Sequence, residues 1–286
     1  MKYQAETMQF ERHMERLKND KPLAHFHMKK FDELIGGVRP RMTIIAGEPG
    51  TGKTSLLLQL ADDLAEQGQP ILFVTLEIEP SHLVAKSIAR LSQGALSASD
   101  VALYAQGKEI DVLEYRSYSK AKDAYTCKIA PNIMFTSVPD VVSICNLVSE
   151  CEKATGKKPV VFLDYIQVLL SGSSEVDERI AIRNTVGELR RMVNAYNVPL
   201  FAISSINRTS YDKPISGLGS LGGSSAVEYG SDTIMFFAIE GTGKERARIM
   251  ALDERPLRIT VLKSRYGACG EIGIIFDAAH ATFREA

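Results

Sequence analysis

The sequence predicts an α/β fold: a mostly parallel, twisted sheet flanked by helices on both faces and closed by a C-terminal β-hairpin. Three features of the chain carry that prediction. The apolar runs ILFVTLE, VVFLDY and LFAISS lack the period-two alternation of strands with one wet face. Segments of helical spacing separate them, so strands and helices alternate along the chain. One apolar run, MTIIAG, leads directly into the glycine-rich stretch GEPGTGKT and then into a helical pattern.

The elements follow in order. Residues 3 to 18 are good helix formers, with Tyr3, Phe10, Met14 and Leu17 on one face; that stripe either folds back on its own domain or docks on a neighbouring subunit. Residues 1–27 are therefore read as a helical arm with its linker, and residues 28–286 as one domain. Pro22 and Pro40 bracket a short segment ending in FDELIGG, after which MTIIAG is a buried strand. A helix is expected from Lys53 to about Gln67, the strand ILFVTLE next, and a helical stretch from about Ser81 to Ser92. Residues 99 to 125 read as helix or loop. NIMFTS is a short strand, Val138 to Thr155 a helix, VVFLDY a buried strand, Glu178 to Asn197 a helix, and LFAISS and TIMFFA further strands. RITVLKSRYG and EIGIIFD form the terminal hairpin, and the Gly/Ser-rich stretch from Ser216 to Ser225 reads as a mobile loop.

Composition excludes several classes. A chain of 286 residues with 45% hydrophobic content can bury a sizeable core. The net charge of −1 supplies no global positive field, so it neither supports nor excludes a nucleic-acid partner. Aromatics make up 7% and tryptophan is absent, which argues against a base-stacking platform. Cys127, Cys145, Cys151 and Cys269 form no C-x-x-C pair and are expected as buried, reduced thiols. His25, His27, His82 and His280 have no partners at metal-ligand spacing, and Ser204-Ser205 follows a strand without a nucleophile-elbow pattern. The first residues lack a signal-peptide apolar core, and the longest apolar run, around Val160 to Leu170, is interrupted by Asp164 and Gln167. A cytoplasmic protein without a membrane partner is the expectation.

Gly47-Glu48-Pro49-Gly50-Thr51-Gly52-Lys53-Thr54 fits G-x-x-x-x-G-K-[ST] without a mismatch, and Ser55 follows. Glycines let backbone N–H groups converge on phosphate oxygens, Lys53 supplies a point charge, and the Thr54 hydroxyl reaches Mg²⁺. A chance glycine-rich turn is the weaker alternative, since the pattern sits between strand and helix. A site of this kind also needs an acid beyond a buried strand to hold the metal's water shell; Asp164, at the end of VVFLDY, has that place, the alternative being a capping aspartate. Hydrolysis needs a base or water-positioning group. Glu77, ending ILFVTLE, is the candidate, because the strand after a phosphate-loop helix commonly lies beside the phosphate-loop strand; Glu79 is the acid that could be mistaken for it.

These residues resemble the ATPase domain of DnaB-type replicative helicases, a RecA-like group of P-loop NTPases. The resemblance covers about residues 28 to 286. FDELIGGVRPRMTIIAGEPGTGKT is similar to the family's entry into its phosphate loop, FVTLE to the strand ending in its glutamate, and LDYIQVLL to its metal-binding strand. ISSINRTS, GSSAVEYGSDTIMFF and LKSRYGACGEIGIIFD resemble the motifs that follow. The resemblance implies ATP and Mg²⁺ as cofactors, Lys53 and Thr54 as phosphate and metal ligands, Asp164 as the metal-shell acid, Glu77 as the base and Gln167 as a coupling residue. It further implies a homo-oligomer, a hexameric ring, in which Lys263 and Arg265 act on a neighbour's ATP. From spacing alone those two read instead as exposed charges on an edge hairpin, and only the resemblance implies the role in trans. Single-stranded DNA is the implied substrate, with primase or loader proteins as possible partners.

The chain departs from the pattern in three places. Ser205 stands where the family has a polar amide, a sensor of the terminal phosphate. Gly222-Gly223, ahead of Ser224-Ser225, replace an Arg-Glu pair in the DNA-gripping loop, leaving backbone N–H groups as phosphate contacts and Arg208 and Lys213 as the nearby cations. Only the arm stands where the family has a separate N-terminal domain. No base-reading motif separates ATP from GTP. An ATP-switched loader or scaffold in replication or recombination is the alternative to a motor, and a filament-forming recombinase is the weaker third.

Overall fold

The computed structural model describes residues 9–18, 20–109, 111–170, 178–205, 224–239, 241 and 243–286; for residues 16, 170, 178, 179, 224 and 225 it describes the backbone. After α1 (Phe10–Lys18) and α2 (Lys29–Ile35) the chain forms β1 (Met42–Gly47), α3 (Lys53–Glu66) and β2 (Ile71–Thr75). Three helices follow, α4 (Pro80–Leu91), α5 (Ala98–Ala105) and α6 (Val112–Ala124), and then β3 (Ile133–Thr136), α7 (Val141–Thr155) and β4 (Val160–Asp164). Then come α8 (Glu178–Tyr196), β5 (Leu200–Ser205), α9 (Ser224–Gly230), β6 (Thr233–Ile239) and α10 (Gly243–Met250). Strands β7 (Glu254–Ser264), β8 (Glu271–Asp277) and β9 (Thr282–Glu285) complete it.

One sheet gathers these strands in the order β3-β2-β4-β5-β1-β6-β7-β8-β9. Neighbours from β3 to β6 run parallel. From β6 to β9 they run antiparallel. The uninterrupted apolar strands are explained by burial on both faces. Along β1, Ile45 packs into a cluster with α3 and Phe73, Phe162 and Phe237. Met42, Ile44 and Ala46 face the opposite cluster, built with α7 and α8. Leu56, Leu57, Leu60 and Leu64 of α3 are fully buried, each contributing roughly 1.5–3 kcal/mol.

Four expectations are corrected. The β2 strand does not lie beside β1; β4 and β5 stand between them, because the crossover through α3 passes over two strand positions that later segments fill. None of the four cysteines is buried: Cys127 and Cys269 are exposed and the other two half-buried, all as free thiols. Lys263 is not on an edge hairpin, since β7 pairs with β6 on one side and β8 on the other. The apolar stripe of α1 does not fold back, for Phe10, Met14 and Leu17 are exposed; Tyr3 lies outside the described residues.

Other findings extend the reading. Capping boxes Ser97/Asp100 and Asp111/Glu114 start α5 and α6, resolving the stretch left open between helix and loop. The C-terminal hairpin gains β9 on its outer side. His25, His27 and His280 pair with Asp32, Asp63 and Asp277, and the described residues hold no group of three or more His, Cys, Asp or Glu able to bind a metal ion. Among them no helix is long and apolar enough to cross a membrane.

Candidate nucleotide site

β1 is central in the sheet, so the loop at its C-terminal end opens among the ends of β5, β4 and β6. Backbone constraints select its glycines. A Cβ on Gly52 would stand 2.7 Å from the Phe276 ring, and its φ of +89° suits glycine. A Cβ on Gly47 would stand 2.4 Å from the Phe237 carbonyl oxygen. Within the loop the Glu48 carbonyl accepts from the Thr51 hydroxyl at 2.8 Å and from Lys53 Nζ at 2.7 Å. The Glu48 side chain is buried and pairs with Arg246 of α10.

Around the start of α3 the charged groups converge. Burial pushes the Lys53 ammonium down to about 8, against the pull of Asp164 and Glu77. Burial raises the Asp164 carboxyl; the Thr54 hydroxyl, which it accepts, works in the opposite direction, Glu77 adds to the rise, and Lys53 and Lys86 lower it. Glu77 lies just past the end of β2, beside Asp164, because Thr75 pairs in register with Asp164. That register, rather than adjacency to β1, delivers Glu77 to the site. Glu79 begins α4 without a side-chain cap bond and lies exposed.

Gln167 joins this corner to β5: its amide nitrogen donates to Ser204 Oγ at 3.0 Å, and its amide oxygen accepts from Ser205 N–H at 3.3 Å. Ser205, the last residue of β5, is exposed.

Lys86 is the site residue that sequence reasoning missed. Its Nζ lies 3.3 Å from Ser55 Oγ, and its charge acts on Asp164. The signal was in α4: Lys86 and Arg90 share the helical face of the buried Leu83 and Ser87, at spacings of three, four and seven. A cation on the apolar face of a helix needs an acid inside. Arg90 finds Asp62, and Lys86 faces Asp164.

Lys263 and Arg265 stand at a different corner. Lys263 Nζ donates to the carbonyls of Glu228 and, at 2.9 Å, Ser231. Arg265 donates to the Tyr229 carbonyl at 2.5 Å and lies 3.6 Å from Asp232 Oδ1. Asp232 is 1% exposed, and its Oδ2 takes the Arg190 guanidinium and the Met42 N–H. Both cations thus sit on the C-terminal carbonyls of α9, where the helix dipole favours positive charge. Arg208, Lys213, Gly222 and Gly223 lie outside the described residues, and Ser224 is described only as the first backbone position of α9.

The donor set fits a nucleotide with Mg²⁺. Asp164 is 2% exposed, and its Oδ2 has no hydrogen-bond partner. A buried, half-satisfied carboxylate next to a hydroxyl and two partly desolvated lysines suits a hard cation and phosphate oxygens.

Residues 25–285 match the family described as DnaB-like helicase C terminal domain. The chain belongs to that family. Over 88% of its length this DnaB-like chain is 21% identical to the Replicative DNA helicase DnaB of Pasteurella multocida, covering 53% of that protein. It is also 24% identical to the DNA repair protein RadA of Campylobacter jejuni, over 89% of this chain and 46% of that one. The DnaB-like chain spans about half the length of the curated relatives it matches. Its fold is similar to the structure described as the ATPase Domain of G40P, with a TM-score of 0.83 at 17% identity and full coverage of both chains. A second, of a DnaB-like replicative helicase and its interactions with primase, gives 0.79 at 18% identity, covering all of this chain and 68% of that one. The architecture is the RecA-like one of DnaB ATPase domains, as the sequence motifs implied.

Proposed function

We propose that the chain hydrolyses ATP and uses the turnover to move along single-stranded DNA as one subunit of a ring, a replicative-type DNA helicase. The observation that carries this reading is Asp164, a buried acid with an unpartnered oxygen at the mouth of a complete phosphate loop. Backbone N–H groups of the loop between Gly47 and Ser55, Pro49 excepted, and the Lys53 ammonium hold the phosphates, with Thr54 and Asp164 as the residues for Mg²⁺. When bound, Mg²⁺ supplies Lewis-acid neutralisation of phosphoryl charge. Glu77, exposed beside Asp164, orients a water and accepts its proton. Gln167 relates the site to the end of β5 and so to the segment carrying Arg208, Lys213, Gly222, Gly223 and Ser224, which grips DNA phosphates. Lys263 and Arg265 act in trans on a neighbour's nucleotide, stabilising charge on the transferring phosphoryl group. The uncovered stripe of α1 docks on the neighbouring subunit in a hexamer, and primase or loader proteins are further partners in the cytoplasm.

Steady-state ATP hydrolysis across a protein dilution series, with and without single-stranded DNA, tests this. Turnover should rise with DNA and with protein concentration. Turnover indifferent to both sinks the motor. A second reading, an ATP-switched loader or scaffold in replication or recombination, is favoured by the likeness to proteins named for DNA repair. Displacement of a strand from a forked duplex by the pure protein counts against it.

A further inference from the structure

The geometry points to Arg246 of α10 as a positioning residue of the nucleotide site: it neutralises the acid of the phosphate loop and holds α10 on that loop. This rests on the nucleotide-binding reading above. Glu48 is the residue after Gly47, only 7% exposed, and its carbonyl takes both Thr51 and Lys53. The backbone of Glu48 therefore organises the loop, while its carboxylate brings a negative charge beside a place built to collect phosphate oxygens. Burying that charge costs free energy, and a like charge next to a triphosphate costs more, unless a cation cancels it.

Arg246 supplies the cation from far along the sequence, paired with the Glu48 carboxylate. A second contact comes from the same helix face one turn on. Met250 Cε lies 3.1 Å from where a Cβ on Gly50 would stand, and Arg246 and Met250 are four residues apart. Lys244, Glu245 and Arg248, on other faces of α10, are exposed. Helix α10 thus lies against the loop at two points, and only Arg246 among its cations is turned to the loop's acid.

Titration calorimetry of ATP with Mg²⁺ on the full chain tests the inference through binding alone. Arg246→Ala should weaken ATP binding at least about tenfold, because a bare carboxylate is left beside the phosphates. Glu48→Gln should tighten it about threefold by removing that charge. The double variant E48Q/R246A should return to within roughly threefold of the parent, since the pair acts as a unit. Arg246→Lys, keeping the charge, should also stay within about threefold. Parental affinity in Arg246→Ala, a double variant no tighter than Arg246→Ala, or Arg246→Lys as weak as Arg246→Ala each overturns the inference. A parent that binds no ATP overturns the reading of the site itself, and is thereby distinguishable from an indifferent Arg246.

Discussion

Two corners of the sheet each bring a buried aspartate together with basic side chains, two at one and three at the other, and they differ in how those cations are held. At the phosphate-loop corner, Asp164 accepts the Thr54 hydroxyl on one side and leaves Oδ2 without a partner, while Lys53 and Lys86 act on it without closing that position. At the α9 corner, Asp232 Oδ2 takes the Arg190 guanidinium and a backbone N–H, its Oδ1 has no hydrogen-bond partner and faces Arg265 at 3.6 Å, and Lys263 and Arg265 are bonded to helix-end carbonyls. The first corner is incomplete within one chain and suits a ligand. At the second, Lys263 and Arg265 are bonded to backbone carbonyls of their own chain, so they can reach a neighbour's nucleotide only by giving up contacts they already hold. A ring motor of the proposed kind uses both conditions: one site that opens to nucleotide, and one set of cations that exchanges between resting bonds and a partner.

The largest expected effect tests whether the second corner acts outside its own chain. Arg265→Ala should lower kcat for ATP by about 10³ to 10⁵, about 4 to 7 kcal/mol of barrier. Mixing it with Glu77→Gln subunits should recover part of the rate, because an interface can then join an intact Glu77 to an intact Arg265. Failure of the mixture to recover activity would assign Arg265 to its own α9 and dissolve the contrast.

Stability should separate the corners next, with opposite signs. Asp232→Ala removes the partner of Arg190 and should cost about 3 kcal/mol, the lower end for broken buried pairs because Arg190 is 23% exposed and can reach water. Asp164→Asn should instead raise the stability of the nucleotide-free chain by about 1 kcal/mol, since it removes a buried, half-satisfied charge. The sign follows from the raised Asp164 carboxyl. Its penalty is absent below the unfolded value of 3.8, develops as pH rises towards the raised folded value, and is complete above that folded value. Urea unfolding of both variants at neutral pH measures the difference, and equal losses would erase the distinction.

Much of the first corner was legible in the sequence and little of the second. The phosphate loop is local, and its chemistry demands glycines, lysine and threonine at set spacing, so Gly47 to Thr54 announce themselves. Asp164 announces itself as an acid closing an apolar strand. Strand order is a long-range property: nothing between Lys53 and Thr75 specifies that β4 and β5 will fill the gap beside β1. GKERARIM has few apolar residues to mark a helix, and its Arg246 meets Glu48 only after the chain has laid down β1 to β6. Asp232 lies in a Gly/Ser-rich neighbourhood that read as loop and strand, and its value comes from Met42 and Arg190, both distant in sequence. Lys86 was recoverable from helical spacing, once a cation on a buried face is taken as a demand for a buried acid.

The smallest expected effect supplies the reference for both corners, an exposed acid that is fully satisfied. Asp140 starts α7 and accepts the Ser143 N–H and the Ser143 hydroxyl, each at 2.8 Å. Those bonds hold its carboxyl below the ordinary aspartate value. Asp140→Ala should cost about 1 kcal/mol at neutral pH, the usual loss of a helix cap. Because the folded value is depressed, that contribution is present above 3.8 and fades as pH falls through the lowered value, where the protonated acid no longer accepts both bonds as a carboxylate. Urea unfolding of parent and variant at neutral pH and at about pH 3 should therefore converge towards the acid end. A difference that persists unchanged at low pH would mean that Asp140 acts by packing rather than by charge. The stability scale set against Asp164 and Asp232 would then need another reference.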